Sequence, residues 1–140
     1  MKKCFSGLLI MLLSLTFVQC EKKGTPQGGD LDTDPPKFLR ATPENYSTQF
    51  NKEEIRIYFD EFIKLDDAQK QIIISPPMAI KPEITPLGSP SKYIRIRLND
   101  TLLINTTYAI NFGKSIIDNN EVNPLPYFKY VFSTGDYRYS

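Results

Sequence analysis

The chain of 140 residues contains no histidine and no tryptophan, and its two cysteines, Cys4 and Cys20, both lie near the N-terminus. A disulfide therefore cannot cross-link a domain formed by the rest of the chain. Such a domain also lacks the residues of a Cys/His zinc site and of Ser–His or Cys–His catalysis. We expect no metal site, no cofactor and no catalytic residues, which predicts a protein that is not an enzyme.

The charge balance shows no basic excess. Lys and Arg total 17 against 16 Asp and Glu, a formal net charge of +1. Nucleic-acid-binding domains usually have a strong excess of basic residues, so we expect no nucleic-acid partner. The length allows one domain with a small core.

The N-terminus has the pattern of an export signal. Lys2 and Lys3 precede an uncharged, apolar run of 14 residues, Phe5–Val18. A membrane-spanning helix needs about 20 residues to cross roughly 30 Å of hydrocarbon, so this run is too short to span. It is typical of the hydrophobic region of a secretory signal peptide, the alternative being a buried helix of a soluble fold.

Cys20 stands directly after this run, and no alanine occurs before Ala41 to form an Ala-x-Ala cleavage site. The segment Phe17-Val18-Gln19-Cys20 resembles the lipobox of bacterial lipoproteins, although that family prefers leucine and a small residue where Phe17 and Gln19 stand. The resemblance implies a signal peptide over residues 1–19 and a diacylglycerol thioether on Cys20. An ordinary free thiol is the alternative.

Residues 20–35 form a polar stretch rich in Gly, Pro, Lys and Asp. Such a composition buries too little apolar surface to offset its ordering entropy, so it predicts a flexible tether. A lipid-bearing Cys20 would hold the protein on a membrane, since two acyl chains give stable attachment. We expect a lipid-anchored location in the cell envelope, at the outer membrane of a Gram-negative bacterium.

From residue 36 the hydrophobic period is close to two, which indicates strands. Apolar residues alternate over 55–60, 94–98, 108–112 and 128–132. Weaker strands are expected around 37–41, 71–75 and 81–85, and a helical turn within 62–71. Prolines in the middle of the chain favour edge strands there. We predict an all-β, immunoglobulin-like β-sandwich of about seven short strands over 36–135, with 136–140 as a C-terminal tail.

Three motifs carry a resemblance to the bacterial Ig-like domain family. A turn at 41–45 (ATPEN) precedes a strand at 55–62 (IRIYFDEF), and 102–108 (LLINTTY) and 132–135 (FSTG) follow in the family's order. The resemblance covers about 36–135. Tyr108, which enters a strand just after a turn, is the candidate for a tyrosine corner, with plain core packing as the alternative.

Acidic residues are the first candidates for a site. Asp60-Glu61, Asp66-Asp67 and the run 118–121 (DNNE) supply carboxylates, but their spacing fits no calcium loop. Solvated turns account for them better. Glycoside hydrolysis would need two carboxylates in one cleft, which the sequence does not locate.

The outward residues of two strands form a second candidate. If 55–59 and 93–98 pair in one sheet, their outer faces place Arg56, Tyr58, Tyr93, Arg95 and Arg97 side by side. Such a face could bind sugars, acidic polymers or a protein. Alternatively, the charges serve only to keep the sheet soluble and to discourage edge pairing.

Thr101 lies in Asp100-Thr101-Leu102, which resembles the D-[ST]-aliphatic sequence that is O-glycosylated in exported proteins of some Gram-negative bacteria. Thr101 is therefore a candidate for O-glycosylation.

The leading hypothesis is a cell-envelope lipoprotein whose non-catalytic domain acts as a spacer or as an adhesion and interaction module. The alternative is an envelope assembly or carbohydrate-binding accessory lipoprotein. The expected partners are the membrane, through the Cys20 lipid, and an envelope protein or glycan.

Replacing Cys20 by Ala should move the protein from the detergent phase to the aqueous phase in a phase-partitioning experiment, because the variant cannot carry the lipid. Cys4→Ala is the control and should partition like the wild type. If the Cys20 variant stays in the detergent phase, Phe5–Val18 is itself the anchor.

Overall fold

The computed structural model describes residues 33–137, and the predicted signal peptide, Cys20 and most of the predicted tether lie outside them. Within that range the chain forms eight strands and one short helix. They are β1 (Phe38–Thr42), β2 (Glu54–Leu65), α1 (Ala68–Gln71), β3 (Ile73–Ser75), β4 (Glu83–Thr85), β5 (Ser91–Arg97), β6 (Thr107–Asn111), β7 (Ile116–Asp118) and β8 (Lys129–Ser133). No helix within 33–137 is long and apolar enough to cross a membrane.

The strands form two antiparallel sheets. The first has the order β1-β2-β5-β4, with β7 pairing to the far end of β2, and the second has the order β3-β6-β8. Residues from both sheets belong to one hydrophobic cluster, so the two inner faces share a core. This confirms the predicted all-β sandwich, and the short helix at 68–71 confirms the expected helical turn.

The core follows from the alternation in the sequence. Ile55, Ile57 and Phe59 of β2 are buried, and so are Ile94 and Ile96 of β5. Burying one such side chain contributes about 1.5–3 kcal/mol, which fixes which face of each strand turns inward. The second sheet contributes the other large buried side chains, namely Tyr108, Ile110, Phe112, Tyr130 and Phe132.

The proline-punctuated middle of the chain forms the edges, as predicted. β3 is an edge of the second sheet and β4 an edge of the first, and each is three residues long. Pro76 ends β3, and Pro82 and Pro86 bound β4, because a residue without an N–H cannot continue a ladder of hydrogen bonds.

Two features of the strands differ from the sequence prediction. β2 continues to Leu65, beyond the alternating run that ends at Asp60 and the family motif that ends at Phe62, and its pairing with β5 shifts register between Tyr58 and Ile63. Its far end pairs with β7 (Ile116–Asp118), a strand that the sequence analysis missed. Asp60 and Glu61 accordingly lie within β2 and not in a loop.

Tyr108 forms the predicted tyrosine corner. Its ring is 2% exposed and stacks on Phe132 with the centroids 5.3 Å apart. The backbone N–H of Leu103, five residues earlier, donates to its hydroxyl oxygen at 2.9 Å. The hydroxyl thus holds the turn that leads into β6.

A second buried tyrosine performs a similar task at β8. The hydroxyl of Tyr130 donates to the carbonyl oxygen of Pro43 at 2.7 Å, which ties the turn after β1 to the second sheet. Burial raises the pKa of Tyr130 to about 12, so the phenol stays protonated as this donor.

Tyr108→Phe should lower the free energy of unfolding by about 1–2 kcal/mol, because the N–H of Leu103 loses its acceptor while the ring stays packed. Urea denaturation measures the change, and Tyr127→Phe, at a tyrosine that is 62% exposed, is the control. An effect no larger than that of the control would reduce Tyr108 to plain core packing.

Candidate functional site

The five predicted face residues lie together on the outer surface of the first sheet. In the antiparallel register of β2 and β5, Arg56 lies opposite Arg95, and Tyr58 opposite Tyr93. Arg97 follows on the same face of β5, because the intervening Ile96 points into the core. The strand pairing that the sequence hypothesis required is therefore present.

Glu54, which the sequence analysis overlooked, organises the arginines of this face. Its two carboxylate oxygens accept from Nε of Arg56 at 2.8 Å and Nε of Arg95 at 2.6 Å. Hydrogen bonds from Arg95 and Arg56 lower the pKa of Glu54, and the same carboxylate raises the pKa of Arg56. Two guanidinium groups that would repel across the strands are thereby held by one anion.

Arg40 of β1 is a further member that the sequence analysis missed. It pairs in register with Tyr58, and its guanidinium carbon lies 3.9 Å from the centroid of that ring. The rings of Tyr58 and Tyr93 are 5.5 Å apart, and Arg56 lies 5.2 Å from the Tyr93 ring. Cation–π contacts thus hold two arginines against two tyrosines. We call the surface formed by Arg40, Glu54, Arg56, Tyr58, Tyr93, Arg95 and Arg97 the arginine–tyrosine face.

This face is suited to binding rather than to proton transfer. Within this face the pKa of Glu54 is lowered and that of Arg56 is raised, so both shifts lead away from neutral pH. A general acid or base needs a pKa near the working pH. Guanidinium groups, in contrast, offer directed donors to carboxylates and phosphates.

Two of the acidic candidates, Asp60 and Asp118, hold backbone N–H groups in place. Asp60 accepts from the backbone N–H of Lys37 at 2.8 Å, and Asp67 stands directly before helix α1. Asp118 corrects the prediction of a solvated turn, since it is 1% exposed. Its carboxylate accepts from the N–H groups of Glu121 and Val122 and from the amide of Asn123, so the turn folds around it. Among residues 33–137 no group of three or more His, Cys, Asp or Glu side chains could hold a metal ion.

Thr101 lies exposed in the loop between β5 and β6. The preceding Asp100 holds this loop to its neighbour, because its carboxylate accepts from the N–H groups of Ala79, Ile80 and Thr101. The hydroxyl of Thr101 is thus presented on an anchored loop, and its glycosylation stays a prediction.

An apolar groove of about 450 Å³ lies between helix α1, β3 and β4. It was not expected from the sequence, because its lining comes from segments that are up to 20 residues apart. The main apolar lining residues are Ile72, Ile74, Met78, Ile84 and Leu87.

Comparisons with known proteins give a family and several solved structures with a similar fold. A model of the bacterial Ig-like domain matches residues 32–134. The copper resistance protein PcoC of Escherichia coli, described as methionine-rich, is 19% identical over 70% of this chain and 96% of its own, with a TM-score of 0.47. The N-terminal part of the bacterial S-layer protein SbsC is 17% identical over 71% of this chain and 23% of its own, with a TM-score of 0.43. A search of curated proteins gives no match.

Glu54→Gln should destabilise the domain at neutral pH, because it removes the negative charge between Arg56 and Arg95. The pKa of Glu54 is lower in the folded state than its ordinary value of 4.5. Its carboxylate therefore stabilises the folded domain fully at pH values above 4.5, and this stabilisation is lost as the pH falls through the folded-state pKa. The difference in urea midpoint between wild type and variant should therefore be positive at pH 7 and shrink in acid.

Glu53→Gln is the matched control, since Glu53 is the exposed neighbour of Glu54 and forms no ion pair with any of residues 33–137. It should change the midpoint little, and molar salt should reduce only the Glu54 effect. A pH-independent difference, or equal effects of the two variants, would contradict the bridging role.

Proposed function

The chain belongs to the bacterial Ig-like domain family, and we propose that it is a membrane-anchored envelope lipoprotein whose domain is a non-catalytic interaction module. The family is not one of enzymes. Ig-like sandwiches host many activities, so the proposal depends on a site and not on the fold.

The observation that carries the proposal is the arginine–tyrosine face. All of its residues except Arg40 lie on the two central strands of the first sheet, β2 and β5, where the backbone is held on both sides. Arg56 and Arg95 keep 41% and 39% of their side-chain surface exposed while they are bound to Glu54. Ordered, exposed arginine and tyrosine side chains are enriched at recognition surfaces because little entropy is lost when they bind.

The proposed anchor explains where such a module would act. A lipid on Cys20, followed by the tether over 20–35, would hold the domain at the membrane and let the face reach a neighbouring component of the envelope. The pattern at Phe17–Cys20 supports the lipid anchor, and the proposed location is the cell envelope, at the outer membrane of a Gram-negative bacterium. The proposed partner is an envelope protein or glycan, which includes the role of an accessory lipoprotein in assembly or carbohydrate binding.

A spacer is the second candidate function, and the Glu54 bridge favours it. Glu54 already satisfies two of the arginines without any ligand. If this bridge were the whole purpose of the charges, no partner would depend on them.

Affinity purification from membranes separates the two functions. Arg95→Gln combined with Arg97→Gln should remove at least one component that copurifies with the wild type, as identified by mass spectrometry, because the face loses half of its guanidinium groups. Lys114→Gln combined with Lys129→Gln, at exposed lysines on and beside the second sheet, is the charge-matched control. Identical components from all three proteins would leave the spacer as the function.

A further inference from the structure

The arginines of the described chain are distributed on one side. Residues 33–137 contain four arginines, Arg40, Arg56, Arg95 and Arg97, and the outer face of the first sheet carries them all. The same residues contain 12 Lys and Arg against 13 Asp and Glu, so the domain has no basic excess to explain the cluster. Lys64 of β2 lies beyond the register shift that follows Tyr58, where the strand pairs with β7, so the four arginines form a cluster apart from it. A cluster of guanidinium groups points to recognition of an anion, since only guanidinium binds carboxylate and phosphate through two parallel bonds.

The arginines of the cluster outnumber the carboxylates beside them. Arg56 lies opposite Arg95, and Arg97 lies between Glu54 on β2 and Glu83 on β4 in the register of the sheet. Glu54 is engaged with Arg56 and Arg95, and Arg97 has no ion pair within 4.0 Å among residues 33–137. Like charges opposite each other on a sheet cost stability, so the arrangement is more basic than folding requires.

The two tyrosines hold guanidinium groups in place instead of presenting open rings. Arg40 covers Tyr58 at 3.9 Å, and Arg56 lies 5.2 Å from the Tyr93 ring. A neutral sugar that stacks on aromatic rings would have to displace these cations. An anionic ligand, in contrast, meets guanidinium groups whose rotamers are already restrained, which lowers the entropic cost of binding.

We propose that the arginine–tyrosine face binds an acidic polysaccharide, a chain of sugars with a carboxylate at each repeat; this rests on the proposed function of the face. Strands lie about 4.8 Å apart and same-face residues about 6.8 Å apart along a strand, so Arg56, Arg95 and Arg97 occupy neighbouring positions at these spacings. A polyuronate supplies carboxylates at a comparable repeat. None of the four arginines lines the apolar groove. Arg40 borders a second, open recess formed by residues 38–45, but Arg56, Arg95 and Arg97 border neither recess. The centre of the face therefore lies outside both recesses, whereas a protein interface commonly seats an anchoring side chain in a pocket.

Chromatography of the detergent-solubilised full chain on immobilised polygalacturonate tests this ligand class. The wild type should be retained and should elute with NaCl, and it should pass through neutral pullulan. Arg95→Gln combined with Arg97→Gln should weaken binding on the order of tenfold, because two charge-assisted contacts are lost. Lys114→Gln combined with Lys129→Gln should elute like the wild type. Equal urea midpoints of the variants exclude unfolding as the cause.

Three results would overturn the assignment. In the first, the wild type passes through polygalacturonate as freely as through pullulan. In the second, the double arginine variant is retained on polygalacturonate as strongly as the wild type. In the third, the wild type is retained more tightly on polyglutamate than on polygalacturonate, which would indicate an acidic protein partner. If the arginine variant loses a copurifying component but the wild type ignores polygalacturonate, only the polysaccharide is wrong. If copurification is also unchanged, the interaction module fails with it.

Discussion

The burial of one face of β2 determines most of this structure. Ile55, Ile57, Phe59 and Ile63 are all at most 2% exposed, and this strand pairs with β1, β5 and β7. Because side chains alternate along a strand, burying this set forces the residues between them outward. The same constraint that forms the core therefore creates the outer arginine–tyrosine face, and a slip of one residue would exchange the two.

Where this alternation is strict, the sequence predicts the structure well, and where it breaks, prediction fails for a physical reason. The main parts of β2, β5, β6 and β8 follow from their period of two. The end of β2 does not, because the register shift between Tyr58 and Ile63 interrupts the period at Asp60-Glu61-Phe62. β7 is too short to show any period. Its last residue, Asp118, looks solvent-seeking in the sequence but is buried, since backbone N–H groups replace water around its carboxylate.

The sequence predicts the candidate face only through the assumed pairing of two strands, β2 and β5. Placing β2 beside β5 is enough to bring Arg56 and Tyr58 next to Tyr93 and Arg95. Glu54 was missed because it stands one residue before the alternating run, and its role depends on the exact register. Arg40 was missed because its contact with Tyr58 requires β1 as the third strand. Contacts across strands depend on register, which hydrophobic pattern alone constrains weakly at strand ends.

The Glu54 bridge bears on whether this face evolved for stability or for recognition. A sheet surface that only had to remain soluble would be served by exposed lysines and glutamates in alternation, with no like charges opposite each other. Here Arg56 and Arg95 face each other, and a single carboxylate offsets their repulsion. Exposed ion pairs of this kind contribute little to folding. The bridge therefore serves mainly to order a cluster of guanidinium groups on the surface and to offset their mutual repulsion. Arg97 does not take part in the bridge.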